Sequence, residues 1–303
     1  MSTARRGPGQ GRGGRAASGR RGSPKPASRG AGRTGPVRRP GEAPPRKVDK
    51  GLGGEQVEGR QAVRELLLAQ RRRVHEIWIS ADLQGTEAVD DIEALAAANR
   101  VPIAYVARKR LETEARTEAP QGVLAKAAPI PEADITPFLR RKRTGRPPFL
   151  VAVDGVTDPG NLGAIVRSCD GAGVDMLVVP RHRAVHITPT VAKASAGAVE
   201  HLPIAVVSGL PTTLQRLRDA HVWVVGLDDA ADKSLFELGD LATEGICVVL
   251  GAEGAGLSRL VRERCDLIVS IPMKGHLSSL NVSAAAALAT FEISRHRGPR
   301  PVA

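Results

Sequence analysis

Residues 154–170 read Asp154-Gly-Val-Thr-Asp158-Pro-Gly-Asn161-Leu-Gly-Ala-Ile165-Val-Arg167-Ser-Cys-Asp170. They follow Phe149-Leu-Val-Ala-Val153, an apolar run short enough for a buried strand and too short for a helix. Asp158-Pro159-Gly160-Asn161 is turn chemistry, since each residue favours a bend or tolerates positive φ. From Leu162 the spacing becomes helical, with Leu162, Ile165 and Val166 on one face. A strand, a glycine-containing loop and a helix, in that order, leave Asn161 and Arg167 where a ligand would lie.

Two later stretches repeat the pattern. Ile246-Cys-Val-Val-Leu250 is a buried-strand run that opens into Gly251-Ala-Glu253-Gly254-Ala-Gly256-Leu-Ser258. Leu267-Ile-Val-Ser-Ile271 leads through Pro272-Met-Lys-Gly275 to Ser279-Leu280-Asn281-Val-Ser283, at the head of an alanine-rich helix. These three stretches resemble, in order, the three motifs of the SpoU (TrmH-like) family of 2′-O-ribose RNA methyltransferases, within the SPOUT superfamily. The resemblance runs over roughly residues 147–297. The layout is most similar to the RlmB-like branch, which carries a small RNA-binding domain ahead of the catalytic one.

Charge is unevenly placed. The chain of 303 residues holds 44 Lys and Arg against 32 Asp and Glu; residues 1–50 hold 14 of the former and only Glu42 and Asp49 of the latter. The whole net charge of +12 therefore lies there, and the remainder is balanced. That segment is rich in Gly, Pro and Ser and nearly free of large apolar side chains, so it cannot bury enough surface to offset its ordering entropy. Residues 1–54 are expected to form a disordered basic arm, drawn to RNA phosphates in a salt-dependent way. No apolar stretch follows the arginines as in a signal peptide, and no run is long enough to span a bilayer. Cys169, Cys247 and Cys265 form no C-x-x-C and are odd in number, which fits a reducing cytoplasm with neither disulfides nor a metal site.

Residues 55–128 alternate helix and strand patterns: a helix over Val57–Leu68, a strand over Val74–Ile79, a helix over Val89–Ala98, and strands at Ile103–Val106 and Gly122–Ala125. A short charged helix is expected over Arg108–Thr117. Glu58-Gly-Arg-Gln-Ala-Val63 and Gln121-Gly-Val-Leu-Ala125 resemble the substrate-binding domain of the family. Arg71-Arg-Arg73 reads equally as an RNA phosphate grip or a solvated helix end. Residues 129–148 form a proline-rich linker with Arg140-Arg-Lys-Arg143 inside it. From 149 to 297, further strand runs at Val174–Val179, Leu202–Val206 and His221–Val225 alternate with helices, giving an α/β fold with a mostly parallel sheet covered on both faces. Trp78 and Trp223 are expected in the core. Periodicity alone predicts an ordinary doubly wound sheet. The resemblance implies instead a deep trefoil knot over roughly residues 245–295, in a SPOUT domain that dimerises through the knotted region and takes RNA contacts from both subunits.

The resemblance also implies the chemistry: methyl transfer from S-adenosylmethionine to a ribose 2′-hydroxyl, without a metal. By motif position the donor falls to Gly251, Ile271 and Leu280, where glycine permits close backbone approach and the other two offer apolar surface. The catalytic set falls to Asn161, Arg167, Glu253, Ser279 and Asn281. Arginine is a poor literal base, so Arg167 is read as holding the neighbouring phosphate and stabilising the emerging alkoxide. Asn161 would orient it, or cap a helix; Ser279 and Asn281 would likewise either lie near the transferred methyl or cap the last helix. Lys193-Ala-Ser-Ala-Gly-Ala198 and Glu200 resemble a family segment near the RNA entrance, and Arg181-His-Arg183 with His186 are placed on the same approach. The branch implies a guanosine in the peptidyl-transferase region of large-subunit ribosomal RNA. Relatives that modify tRNA or confer antibiotic resistance, and a non-catalytic RNA-binding protein, are the alternatives. A dinucleotide fingerprint is weak, because the glycines run G-x-x-G-x-G, and no G-x-S-x-G serine motif occurs.

Overall fold

The structure, a computed structural model, describes residues 51–140, 146–181 and 186–298. The basic segment 1–50, the Arg141–Arg143 cluster, and His182 and Arg183 lie outside the described residues.

The first layer holds β1 (Gln56–Glu58), α1 (Arg60–Ala69), β2 (Val74–Ser80), α2 (Glu87–Ala98), β3 (Ile103–Val106), α3 (Arg108–Glu114) and β4 (Val123–Ala127), with sheet order β1-β4-β2-β3. The helix expected from Val57 starts at Arg60, because Gln56–Glu58 pairs antiparallel with Leu124–Lys126 as an edge strand. The charged helix ends at Glu114 rather than Thr117, where the chain turns to meet the buried Glu58 carboxylate. Ala62, Val63, Leu66 and Leu67 of α1 fill the core as their spacing predicts. Trp78 is buried, with Lys126 Nζ 4.3 Å and Arg110 Cζ 5.0 Å from its ring centroid, both at cation–π range.

The proline-rich linker is not wholly irregular: α4 (Ile135–Arg140) lies within it. The second layer then runs β5 (Phe149–Asp154), α5 (Pro159–Gly171), β6 (Met176–Pro180), α6 (Pro189–Ala194), β7 (Ile204–Val207), α7 (Leu210–Asp219), β8 (Trp223–Leu227), β9 (Ile246–Gly251), α8 (Arg259–Arg262), β10 (Leu267–Val269) and α9 (Val282–Arg297). The sheet is parallel throughout, ordered β10-β8-β9-β5-β6-β7, so its direction of growth reverses between β5 and β9. α5 and α9 pack against one face, while α7 and α8 pack against the other, as expected of a doubly covered sheet. Trp223 departs from its expected place in the core: it opens β8 at the sheet's N-terminal edge and is 45 % exposed, beside Arg218, His221 and Asp266.

Gly51–Gly54, expected to close the arm, belongs to the fold. Leu52 is buried and Gly53 bridges Ile187. Arg72 is neither a phosphate grip nor a solvated end. Arg72 forks onto Glu200, Nε to Oε2 at 2.9 Å and Nη2 to Oε1 at 2.6 Å, and also donates to the Gly54 and Ala128 carbonyls. Arg71 donates to the carbonyls of Glu200 and His201. With both side chains of the ion pair about 3 % exposed or less, this latch joins the two layers in a dry setting. Glu200 is thus committed to the joint between the layers.

Removing one partner of such a pair strands a buried charge, at a cost of roughly 3–5 kcal/mol. Glu200→Gln should lower unfolding stability by that order in urea titration; an unchanged midpoint would mean the latch carries no load. The thiols give a second expectation. Burial raises the Cys265 thiol from 9.0 to about 12 and pushes Cys169 and Cys247 up as well. Folded thiols therefore hold protons that unfolded ones release, so stability is full below about pH 9 and falls as pH rises toward 12. Cys265→Ser should make that alkaline decline shallower.

Candidate functional site

The three strands that carry the sequence motifs end together. β5 and β9 pair in register up to Asp154 opposite Gly251, and β8 and β10 flank β9. Beyond their C-terminal ends lies a cavity of about 680 Å³, next to the point where strand order reverses. Open parallel sheets place ligands there. Leu227 and Asp228 line it after β8, Gly251–Gly256 after β9, Ile271 and Met273 after β10, and Ser278–Val282 at the head of α9.

Asp158-Pro159-Gly160-Asn161, expected as a turn, is the first turn of α5. Asp158 is the N-cap, accepting from the Asn161 N–H at 2.6 Å, and Pro159 takes the position where no N–H is needed. Asn161 is therefore not the cap, and its side chain is free to point elsewhere. Its Nδ2 donates to Glu253 Oε2 at 3.3 Å, and its Oδ1 accepts from Asn281 Nδ2 at 3.0 Å. Asn281 Oδ1 in turn accepts from the backbone and hydroxyl of Ser283, which makes Asn281 the N-cap of α9. Glu253, Asn161 and Asn281 thus form one polar chain linking all three motifs. Ser279 lines the cavity and caps nothing. Arg167 is exposed on α5, outside the lining, and has no partner among the described residues.

Gly251 has a stricter reason to be glycine than ligand approach. A Cβ there would stand 2.3 Å from the Gly256 carbonyl carbon and 2.6 Å from the Leu257 nitrogen. The loop folds back on itself through paired Ala252–Gly256 hydrogen bonds, with Gly254 and Gly256 at positive φ. Asp154 Oδ2 accepts from the Ser258 N–H at 2.7 Å and pins the return of this loop to β5. Ile271 is half-buried against the main core, and Leu280 is 38 % exposed at the mouth.

Two carboxylates were missed from sequence. Asp228 and Asp229 line the cavity just past β8, and Asp228 pairs with Arg262. The strand expected to end at Val225 runs to Leu227, so these acids sit on its C-terminal tip, where motif reading does not look.

Known proteins match this arrangement. Residues 148–291 match the SpoU rRNA Methylase family, and residues 56–133 match the RNA 2′-O ribose methyltransferase substrate binding family. The chain belongs to the SpoU rRNA methylase family. It is 39 % identical over 247 residues to the 23S rRNA (guanosine-2′-O-)-methyltransferase RlmB of Pseudomonas putida, covering 80 % of this chain and 97 % of that one. A Bacillus subtilis protein named as a TrmH-family tRNA/rRNA methyltransferase is 37 % identical, with 80 % and 95 % covered. Among solved structures, the SpoU methyltransferase AviRb of Streptomyces viridochromogenes in complex with AdoMet superposes with a TM-score of 0.66 at 28 % identity, covering 79 % of this chain and 89 % of that one.

The crowding at Gly251 yields a direct expectation. Gly251→Ala must push the SpoU hairpin off its seat, so S-adenosylmethionine affinity should fall about tenfold or more by calorimetric titration. Wild-type affinity in that variant would show the hairpin irrelevant to the cavity.

Proposed function

We propose that the chain transfers a methyl group from S-adenosylmethionine to the ribose 2′-hydroxyl of a guanosine in 23S ribosomal RNA. The observation that carries this reading is the polar chain Glu253–Asn161–Asn281 standing beside the cavity, with all three motif loops converging on it. The guanosine rests on the RlmB relatives; the Bacillus subtilis name leaves tRNA as the competing substrate.

The cavity suits the donor. Its volume is that of a small-molecule site, Leu227, Leu250, Ile271 and Leu280 give apolar walls, and Asp229 places negative charge near a cationic ligand, while the charge of Asp228 is shared with Arg262. S-adenosylmethionine supplies a methyl on a sulfonium, activated for in-line displacement. Gly251, Ile271 and Leu280 hold it, largely through loop backbone. The protein's remaining task is to seat the hydroxyl in line and to manage its proton. Arg167, exposed and without a partner among the described residues, is fitted to fork onto an RNA phosphate and to stabilise the developing alkoxide. Asn161, held by Glu253 and Asn281, orients the ribose, and Ser279 lines its seat.

The enzyme works in the cytoplasm as a homodimer. An exposed stripe on α9, with Leu288 42 % and Phe291 52 % exposed, lies beside α5 and offers apolar surface for a second copy. Residues 245–295 carry the trefoil knot that frames the donor loops. Residues 55–128 bind RNA, residues 149–297 carry the chemistry, and the basic arm adds salt-dependent attraction.

Arg167→Ala should leave S-adenosylmethionine binding within about twofold while cutting methyl transfer by at least about a hundredfold. Equal loss of both would show that Arg167 builds the donor site instead.

A further inference from the structure

Glu58 is fully buried, yet no cation pairs with it among the described residues. Its carboxylate accepts from Gln56 Nε2 at 2.7 Å, Arg116 N at 2.7 Å, Thr117 N at 3.0 Å and the Thr117 hydroxyl. A buried charge persists only where several donors turn to it. Three of the four partners are N–H groups that can only donate, and they reach both oxygens, so an amide would present its own NH₂ to at least one of them. Glu58 therefore fixes the backbone at Arg116 and Thr117, and through it the loop from Ala115 to Gln121.

That loop draws two basic side chains from α1 and α6 to its carbonyls at the seam between the layers. The Ala119 carbonyl accepts from Lys193 Nζ at 2.6 Å, and the Gln121 carbonyl accepts from Arg60 Nε at 3.2 Å. Gln121 Oε1 also caps α1 by accepting from Arg60 N at 3.1 Å. Arg116 itself is exposed. Arg60, Arg116 and Lys193 form no ion pair among the described residues, and the loop's own acid, Glu118, is exposed and pairs with none of them. Lys193 lies on α6, which presses on α5 at Gly163, where a Cβ would stand 2.5 Å from Ala194 Cβ and 2.9 Å from the Val191 carbonyl oxygen. Gly163 sits between Asn161 and Arg167. The loop and the catalytic helix are thus joined by the Lys193 hydrogen bond and the close α5–α6 approach at Gly163.

We propose that Glu58 is a positioning residue for the RNA substrate: it holds the Ala115–Gln121 loop as a lip on which Arg60, Arg116 and Lys193 take backbone phosphates of the strand that reaches Arg167. The inference rests on the RNA reading above. Phosphate contacts set register without reading sequence, so the lip governs how RNA is seated rather than which base is chosen.

The test measures affinity of the full chain for protein-free large-subunit ribosomal RNA against salt, alongside steady-state methyl transfer. Arg116→Ala and Lys193→Ala should each lower the slope of log affinity against log salt by about one. Both should raise KM for RNA several-fold while kcat stays within about twofold. Glu58→Gln should reproduce the Arg116→Ala slope with S-adenosylmethionine affinity unmoved. Arg108→Ala, whose charge is already shared by Asp82 and Glu112, should keep the wild-type slope. Glu58→Gln that lowers only the melting temperature, with a wild-type slope, would reduce Glu58 to a structural residue. Wild-type slopes in both Arg116→Ala and Lys193→Ala would remove the lip. Wild-type protein that shows these slopes but transfers no methyl group would overturn the proposed function and leave the lip standing.

Discussion

The parallel pairing of β5 with β9 is the constraint on which the site depends. The two strands are buried over all but their last residues and pair along their whole length, from Phe149 opposite Ile246 onward. Register ends at Asp154 opposite Gly251. The loop after β5 and the loop after β9 must therefore leave the sheet side by side, and Asn161 meets Glu253 although 92 residues separate them. α9 closes the third side, because its N-cap Asn281 spends one oxygen on its own helix and its amide nitrogen on Asn161. Helix capping and site assembly are the same set of hydrogen bonds.

Rigidity around this centre comes from close backbone contact more than from large side chains. Gly251 lies under Gly256, and Gly163 lies under α6; neither position has room for a methyl group. Such contacts resist displacement because backbone cannot rotate away as a side chain can. The Arg72–Glu200 latch extends that stiffness to the first layer, so a strand bound there is presented at a fixed distance from the cavity. Arg167 is the exception: it is exposed and has no partner among the described residues.

The buried strands were legible in the sequence because a strand covered on both faces must be a continuous apolar run. Phe149–Val153 and Ile246–Leu250 admit little else. The helix after β5 was legible but not its start. Asp158-Pro159 serves equally as turn or as N-cap with its following proline, and only the helix beyond decides between them. Val57 and Glu58 read as helix locally and become strand because β4 supplies a partner. Trp223 reads as core from its strand but falls at the sheet's bare edge. The role of Arg72 was illegible, since its partner Glu200 is 128 residues away and an arginine run looks the same whether it faces water, RNA or a carboxylate. Asn161, Glu253 and Asn281 were found by motif order, but their mutual contact belongs to the fold.

The most direct test is to supply methyl-labelled S-adenosylmethionine with protein-free ribosomal RNA and, separately, with bulk tRNA, and to map the labelled nucleotide. A 2′-O-methyl blocks attack on the adjacent phosphate, so the modified position resists alkaline cleavage. Label confined to a single guanosine of the large-subunit RNA is the predicted result. Cofactor binding without label in either RNA, or label resting on a base rather than on a ribose, would contradict the account.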